Sequence, residues 1–331
     1  MTGAIDHRAQ GGFCHSLLAV DAPDTIERQL VPLLRRKINA RQAVLMVVGA
    51  ATEQTVRDRL GGDADALQWA PPDGFYQRLG FAYRSFGRLL DERCSRRQPV
   101  HLVAEPDLIS AASAPVNRAA AFLGYEAMVN DVFARYGCPI TCIWHSHHHP
   151  ATVIDGVREV HGRQVTVEGE QDNPRYMAPA TYLNAHAQAT MTPTPPVTEI
   201  DGLVWEVGQL ATCRADVVDW AGRHRFAPAA ARQVAMAISE VVSNGLQHGR
   251  PPVHMRAWAY HDTLIVHIED HGAQPIPADA GYRPPATPVD AGGLWVARQL
   301  ADVLLTHTGH GRTAVRLYFP YAVTHHNLDI P

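Results

Sequence analysis

The sequence lacks any apolar run approaching the roughly 18 residues that would cross a bilayer. Its first twenty residues, MTGAIDHRAQGGFCHSLLAV, contain neither a basic n-region nor the apolar core of a secretory leader. No membrane association is expected, and a cytoplasmic setting is the default. Cationic excess is also missing: 29 Lys and Arg against 33 Asp and Glu give a net charge of -4, with a pI near 6.5. Such a balance offers no field for nucleic acid, so any effect on DNA is expected to be indirect. Cysteine is sparse and odd in number (Cys14, Cys94, Cys138, Cys142 and Cys213), which fits reduced thiols better than a disulfide framework. A phosphate-binding loop is absent from the place where it would be sought, because the run VLMVVG (44–49) continues into AATEQTV and not into G-x-x-x-x-G-K-[ST].

What is present is enough chain for two domains of roughly 100 to 200 residues each. Of its 331 residues 46% are hydrophobic and 19% charged, the balance of a folded soluble chain and not of a disordered one. From residue 13 to about 165, short apolar runs (SLLAV 16–20, AVLMVVG 43–49, VHLVAE 100–105, ITCIW 140–144) alternate with longer amphipathic ones (24–38, 51–60, 74–95, 115–136). That alternation predicts strands and helices in turn, hence a mainly parallel sheet with helices on its faces. Residues 170–200 are rich in Pro, Ala and Thr without sustained periodicity, so an interdomain linker is placed at 186–200.

Nineteen histidines are spread along the chain, and the stretch CIWHSHHHP (142–150) concentrates four of them. Strand periodicity puts Cys142 and Trp144 on one face and Ile143, His145 and His147 on the other. Only a strand ending near Trp144 would let Cys142, His145, His147 and His148 converge on a transition metal or haem, and their spacing matches no standard zinc pattern. The favoured reading is a polar strand-end loop before Pro150, with metal or haem ligation as the alternative. Ligands of open parallel sheets gather beyond the carboxyl ends of strands. A small-molecule signal site built from Glu105, Glu126, Asn130 and His145 is therefore expected; the plainer reading of Glu126 and Asn130 is an exposed helix face.

The second half reads as a helix ARQVAMAISEVVSNGLQHG (231–249), strands VHMRAWAYH (253–261) and TLIVHIEDHG (263–272) about a tight turn at Asp262, and a Pro-rich loop (273–291). A helix GGLWVARQLADVL (292–304) and a final strand RTAVRLYFP (312–320) complete it. Glu240 and Asn244 are one turn apart on a single helix face. An Asn oxygen suits a Mg2+ ion that also holds phosphates, and a carboxylate one turn away suits activation of a nucleophile; a solvated polar stripe is the plain alternative. Asp270, followed by Gly272, offers an acceptor for an adenine amino group. GGLW at a helix entrance offers free backbone N–H groups and the positive end of the helix dipole to phosphate oxygens.

In this order, the motifs AISEVVSNGLQHG, IEDHG, AGGLWVARQLADVL and RTAVRLYF resemble the N box, the two glycine boxes and the closing strand of GHKL (Bergerat-fold) ATPases, in the branch of anti-sigma-factor serine kinases. The N-terminal βα pattern, with its LGYEAMVN helix and the strand ending in CIW, resembles the MEDS sensory domain. The resemblance implies Glu240 as catalytic base or water orienter, Asn244 as Mg2+ ligand and Asp270 as adenine reader. Gly272, Gly292, Gly293 and Leu294 would cradle the nucleotide, with Thr313 near the adenine and His248 at the nucleotide rim. Two departures bear on ATP affinity: DHGAQ lacks the second glycine of D-x-G-x-G, and Arg312 stands where a glycine is expected.

The expected architecture is thus α/β and α+β: a MEDS-like, mainly parallel βα sensor at 1–185, a linker at 186–200, a GHKL α/β sandwich at 201–322 and a tail at 323–331. The expected function is a signalling regulator, an ATP- and Mg2+-binding anti-sigma factor or serine/threonine kinase active in transcription and stress control. Its partners would be a sigma factor or an anti-anti-sigma protein, with a homodimer implied by the habit of related kinases. A nucleotide-independent partner-binding scaffold and a metal- or haem-responsive sensor are the competing readings.

Overall fold

The computed structural model describes residues 13–106, 108–110, 113–186, 191–272, 275–285, 292–309 and 311–326. Parts of the expected linker (187–190), Pro-rich loop (273–274 and 286–291) and tail (327–331) lie outside these residues. Among the described residues, those up to 76, 83–110 and 122–182 form one compact unit, and those at 77–82, 113–121 and 183–326 a second.

The first unit is built on a seven-stranded sheet of β1 (His15–Val20), β2 (Val44–Val47), β3 (Gln68–Ala70), β4 (His101–Ala104), β5 (Ile140–His145), β6 (Arg163–Thr166) and β7 (Gly169–Asp172), in the order β3-β2-β4-β5-β1-β6-β7. All neighbours run parallel except the β6–β7 hairpin. Parallel strands covered on both faces need apolar side chains on both, which is why VLMV and HLVA are buried throughout. The crossover helices are α1 (Val31–Asn39), α2 (Ala50–Leu60), α3 (Leu79–Ser95), α4 (Arg118–Val132) and α5 (Ala151–Val160), with a short α6 (Pro179–Ala185) after the hairpin. On one face Leu18, Met46, Val103 and Ile143 pack against Leu30, Leu33, Leu34 and Val56. β3 escapes the sequence pattern because it is three residues long and only half buried, and β6–β7 because its alternation is almost entirely polar.

The second unit is a five-stranded antiparallel sheet in the order β11-β12-β10-β9-β8, made of β8 (Ile200–Val204), β9 (Val253–Tyr260), β10 (Thr263–Asp270), β11 (Val303–Gly309) and β12 (Arg312–Pro320). Helices α7 (Leu210–Arg223), α8 (Pro228–His248) and α9 (Gly293–Leu300) bury Trp220, Ile238, Val242 and Ala297 against Met255, Val266, Leu317 and Phe319. α10 (Tyr321–His326) follows the last strand. The β9–β10 turn forms where expected and places His261 at φ 53°. The helix expected over 292–304 is shorter. Ala301 turns extended (ψ 150°), and Val303 and Leu304 leave it to pair with β12, because residues that are apolar and partly β-branched gain more as a buried sheet partner than as another helical turn.

The segment before β8 is tied to this unit by hydrogen bonds. The buried Arg316 guanidinium donates to the Thr192 carbonyl (2.6 Å) and to Thr194 Oγ1 (3.1 Å). Glu199 accepts from Trp220 Nε1 (3.1 Å) and from the Ala259 amide (2.9 Å). Composition suggests a free linker here, yet Thr192, Thr194 and Glu199 are tied by hydrogen bonds that composition does not encode.

Candidate functional site

α8 runs for 21 residues because apolar side chains recur at helical spacing (Val234, Ile238, Val241, Val242), Pro228 opens its first turn, and Gly249 ends it. Its carboxyl half forms one wall of a cavity of about 500 Å³. Asn244, Gly245 and His248 from α8, Ile268 and Asp270 from β10, Thr313 and Val315 from β12, and Gly292 and Leu294 at the start of α9 all line it. Asp270 and Thr313 are directly paired in the β10–β12 register, so both belong to one rung of the cavity wall.

Backbone approach around Asp270 is close. Its Oδ1 accepts from the Gly272 amide at 2.6 Å, and a β-carbon at Gly249 or Gly272 would fall 2.3 or 2.6 Å from that oxygen. Only glycine fits at these two positions while the carboxylate keeps its place. At the α9 entrance, a β-carbon on Gly293 would meet Asn244 Nδ2 at 2.9 Å and Glu240 Oε2 at 3.1 Å. Glu240 and Asn244 therefore both flank the entrance of α9, although Glu240 opens toward the neighbouring groove with Arg214 and Met236 and does not line the cavity itself. The amide N–H groups of the first turn of α9 leave donors free at this entrance, a natural anion site.

Arg312 does not obstruct the cavity. It pairs with Glu269 (2.8 Å), and Glu269 and Asp270, being consecutive in a strand, point to opposite faces. Glu269 is held down at about 2, chiefly by the His267 ring beside it and against the effect of burial, with the Arg312 charge adding to the depression. The absent second glycine corresponds to Gln274, outside the described residues.

The Pro-rich loop contributes lining residues that periodicity could not single out: Ile276, Ala280, Gly281 and Arg283. Gly281 has φ +76°, and a β-carbon there would lie 2.8 Å from the Leu294 backbone. Arg298, buried in α9, donates to the Ala280 carbonyl (3.1 Å) and stacks on Tyr282 (3.9 Å), which fastens the loop across α9. An isolated glycine in a Pro-rich segment was the available signal.

A family described as MEDS, MEthanogen/methylotroph, DcmR Sensory domain, matches residues 14–162. Histidine kinase-like ATPase domain is the description of the family that matches residues 204–319. The chain is a MEDS domain followed by a histidine kinase-like ATPase domain. No curated protein matches it significantly. The ATPase domain implies nucleotide binding, and the cavity lies wholly within it.

In the MEDS domain the expected signal residues fall into two groups. Glu105 and His145, at the carboxyl ends of β4 and β5, are paired at 2.6 Å, and the Gly49 amide after β2 donates to the other Glu105 oxygen (2.9 Å). His145 also stacks on His148, and His147 lies 3.0 Å from the Asp21 carbonyl after β1. His149 is lowered from its usual basicity by burial and by His148 and His145. This group sits where a parallel sheet collects ligands. Glu126 and Asn130 are not on an exposed helix face and do not join it: both are buried on α4, facing the sheet interior. β5 also continues through His145, so Cys142 turns to the opposite face, and the set Cys142, His145, His147, His148 is not assembled. No described helix is long and apolar enough to cross a membrane.

Proposed function

We propose that the protein is a signalling regulator of the anti-sigma type: its ATPase domain binds ATP with Mg2+ and acts on a regulatory partner, and the MEDS domain controls that activity through a small-molecule signal. The observation that carries this reading is the convergence of Asn244, Asp270, Thr313 and the α9 entrance on one cavity, with Glu240 beside Gly293. Asp270 presents a buried carboxylate to an adenine amino group, and Ile268, Val315 and Leu294 give the base apolar walls. The free amides at Gly292–Leu294 receive phosphate oxygens.

Asn244 fits as a Mg2+ ligand, since its amide oxygen is a hard donor at the phosphate end of the cavity and the glycine at 293 leaves it room. Bound there, Mg2+ would spread the charge of the phosphates during transfer. Glu240, one turn before Asn244, is the residue to orient a serine or threonine hydroxyl of the partner and accept its proton as the new O–P bond forms and the β–γ bridge breaks. No helical hairpin with a phosphorylatable histidine precedes α8 among the described residues of the domain, and this favours a protein acceptor over histidine autophosphorylation. A direct anti-sigma grip on a sigma factor, with ATP as a switch, uses the same site.

Incubation of the protein with labelled ATP, Mg2+ and candidate anti-anti-sigma proteins tests the reading. Label on a partner serine or threonine, lost in Glu240→Ala, is expected. A wild-type protein that binds no ATP would leave the nucleotide-independent scaffold as the function.

A further inference from the structure

The first strand, the fourth helix, the fifth strand and the residue after the fifth helix each send one ligating side chain to the same point in the MEDS domain. His15 is at the start of β1, Glu126 is on α4, Cys142 is on β5 and His161 directly follows α5. All four are buried, and their donor atoms lie within 4.8 Å of one another. His15 Nε2 is 3.1 Å from Glu126 Oε2 and 3.3 Å from Cys142 Sγ; Glu126 Oε2 is 3.6 Å from both Cys142 Sγ and His161 Nε2. Around a tetrahedral zinc ion, metal–nitrogen and metal–oxygen distances near 2.0 Å and a metal–sulfur distance near 2.3 Å place donors roughly 3.3–3.6 Å apart. The observed spacings are already of that size.

Two further features point to an ion rather than to a self-contained polar network. His161 is fully buried, and its Nδ1 lies 2.7 Å from the Val157 carbonyl, which can only accept; Nδ1 therefore carries the proton and Nε2 presents a lone pair into the cluster. That Nε2 has no hydrogen-bond partner, a costly state for a buried nitrogen. A backbone carbonyl fixing the distal nitrogen of a histidine is also the usual support of a metal ligand.

The second feature is charge. Glu126 and Cys142, both acids, are buried with donor atoms 3.6 Å apart, where two bare anions would be costly. A thiolate and a carboxylate around a divalent cation would instead form an electroneutral buried centre.

We propose that His15, Glu126, Cys142 and His161 form a closed binding site for one divalent transition-metal ion of the zinc class. With four protein donors and no open position the ion is structural, stapling β1, α4, β5 and the end of α5. The proposal concerns the MEDS domain alone and is independent of the nucleotide reading.

The untagged full-length protein, stripped with chelator, is titrated with Zn2+ and separately with Co2+. One equivalent per chain is expected. The Co2+ form should show intense visible bands of a tetrahedral site and a near-ultraviolet thiolate charge-transfer band. Cys142→Ser, nearly isosteric, should abolish the charge-transfer band and weaken binding at least about tenfold, as should His161→Gln. If these variants do not fold, the wild-type cobalt spectrum decides by itself. Absence of stoichiometric binding would overturn the site, as would Co2+ binding without a thiolate band. Binding that survives Cys142→Ser but is lost in a His147→Ala, His148→Ala double variant would overturn it too.

Discussion

Gly293 stands against Asn244 so closely that a β-carbon at 293 would lie 2.9 Å from the Asn244 amide nitrogen. The α9 entrance and the proposed Mg2+ ligand are thereby coupled, because nothing larger than hydrogen at 293 leaves the Asn244 side chain where it is. In Gly293→Ala the amide, and Glu240 with it, must move by several tenths of an ångström. Overpacking of this kind costs about 1–3 kcal/mol. Because the moving atoms belong to the proposed Mg2+ and catalytic residues, the effect should appear in Mg·ATP affinity, a loss of roughly tenfold or more by isothermal titration, with a smaller change in thermal midpoint. Unchanged affinity would separate Asn244 from nucleotide binding.

Asn244 and Asp270 should fail in different ways, since Asn244 stands beside Gly293 at the α9 entrance and Asp270 beside Gly249 and Gly272. Asn244→Ala should remove the Mg2+-dependent part of ATP affinity while leaving adenosine binding intact. Asp270→Ala should weaken adenosine and ATP alike, by about 1–3 kcal/mol, and erode the preference for ATP over GTP. Competition binding with adenosine, ATP and GTP, with and without Mg2+, distinguishes the two. Equal losses of every ligand in both variants would mean that the cavity collapses as a unit.

How much of this was legible in the sequence depends on the range of the interaction. α8 could be read from residues three and four apart, and with it the shared face of Glu240 and Asn244. The β9–β10 turn and the parallel β-α alternation were legible for the same reason. The convergence of Cys142 with His15, Glu126 and His161 was not, because each ligand comes from a different element and no two have a conventional spacing. The visible His145–His149 cluster drew Cys142 toward the wrong face, although strand periodicity already separated it from His145. The role of Gly281 was illegible as well, since only the fold shows which backbone it must approach.

Acid stability of the MEDS domain should depend on His101. This residue is buried on β4 with Nε2 2.8 Å from Thr141 Oγ1, and burial, aided by the Lys37 charge, lowers it to about 4. In the unfolded chain a histidine titrates near 6.5. The unfolded state therefore binds the proton first as pH falls, so the stability contribution is complete above about 6.5 and is lost progressively down to about 4, at about 1.4 kcal/mol per pH unit. A His101→Gln variant should show a flatter dependence of the denaturation midpoint on pH across that window, at some cost in stability at neutral pH. An identical slope in both proteins would exclude His101 as the source.

Gly281 supports the cavity from the loop side, and its replacement combines two costs. At φ +76° an L side chain is disfavoured by roughly 1–2 kcal/mol. The added β-carbon would also lie 2.8 Å from the Leu294 backbone, which cannot swing aside as a flexible side chain would. The loop must lift, carrying Ala280 and Arg283 away from the cavity and straining the Arg298 bond to the Ala280 carbonyl. Gly281→Ala should therefore lower nucleotide affinity by roughly tenfold. Gly281→Asn, a residue that tolerates positive φ, keeps the steric clash but relieves part of the backbone strain. If the contact with Leu294 dominates, both variants bind ATP equally poorly; if backbone strain dominates, the Asn variant recovers most of the wild-type affinity.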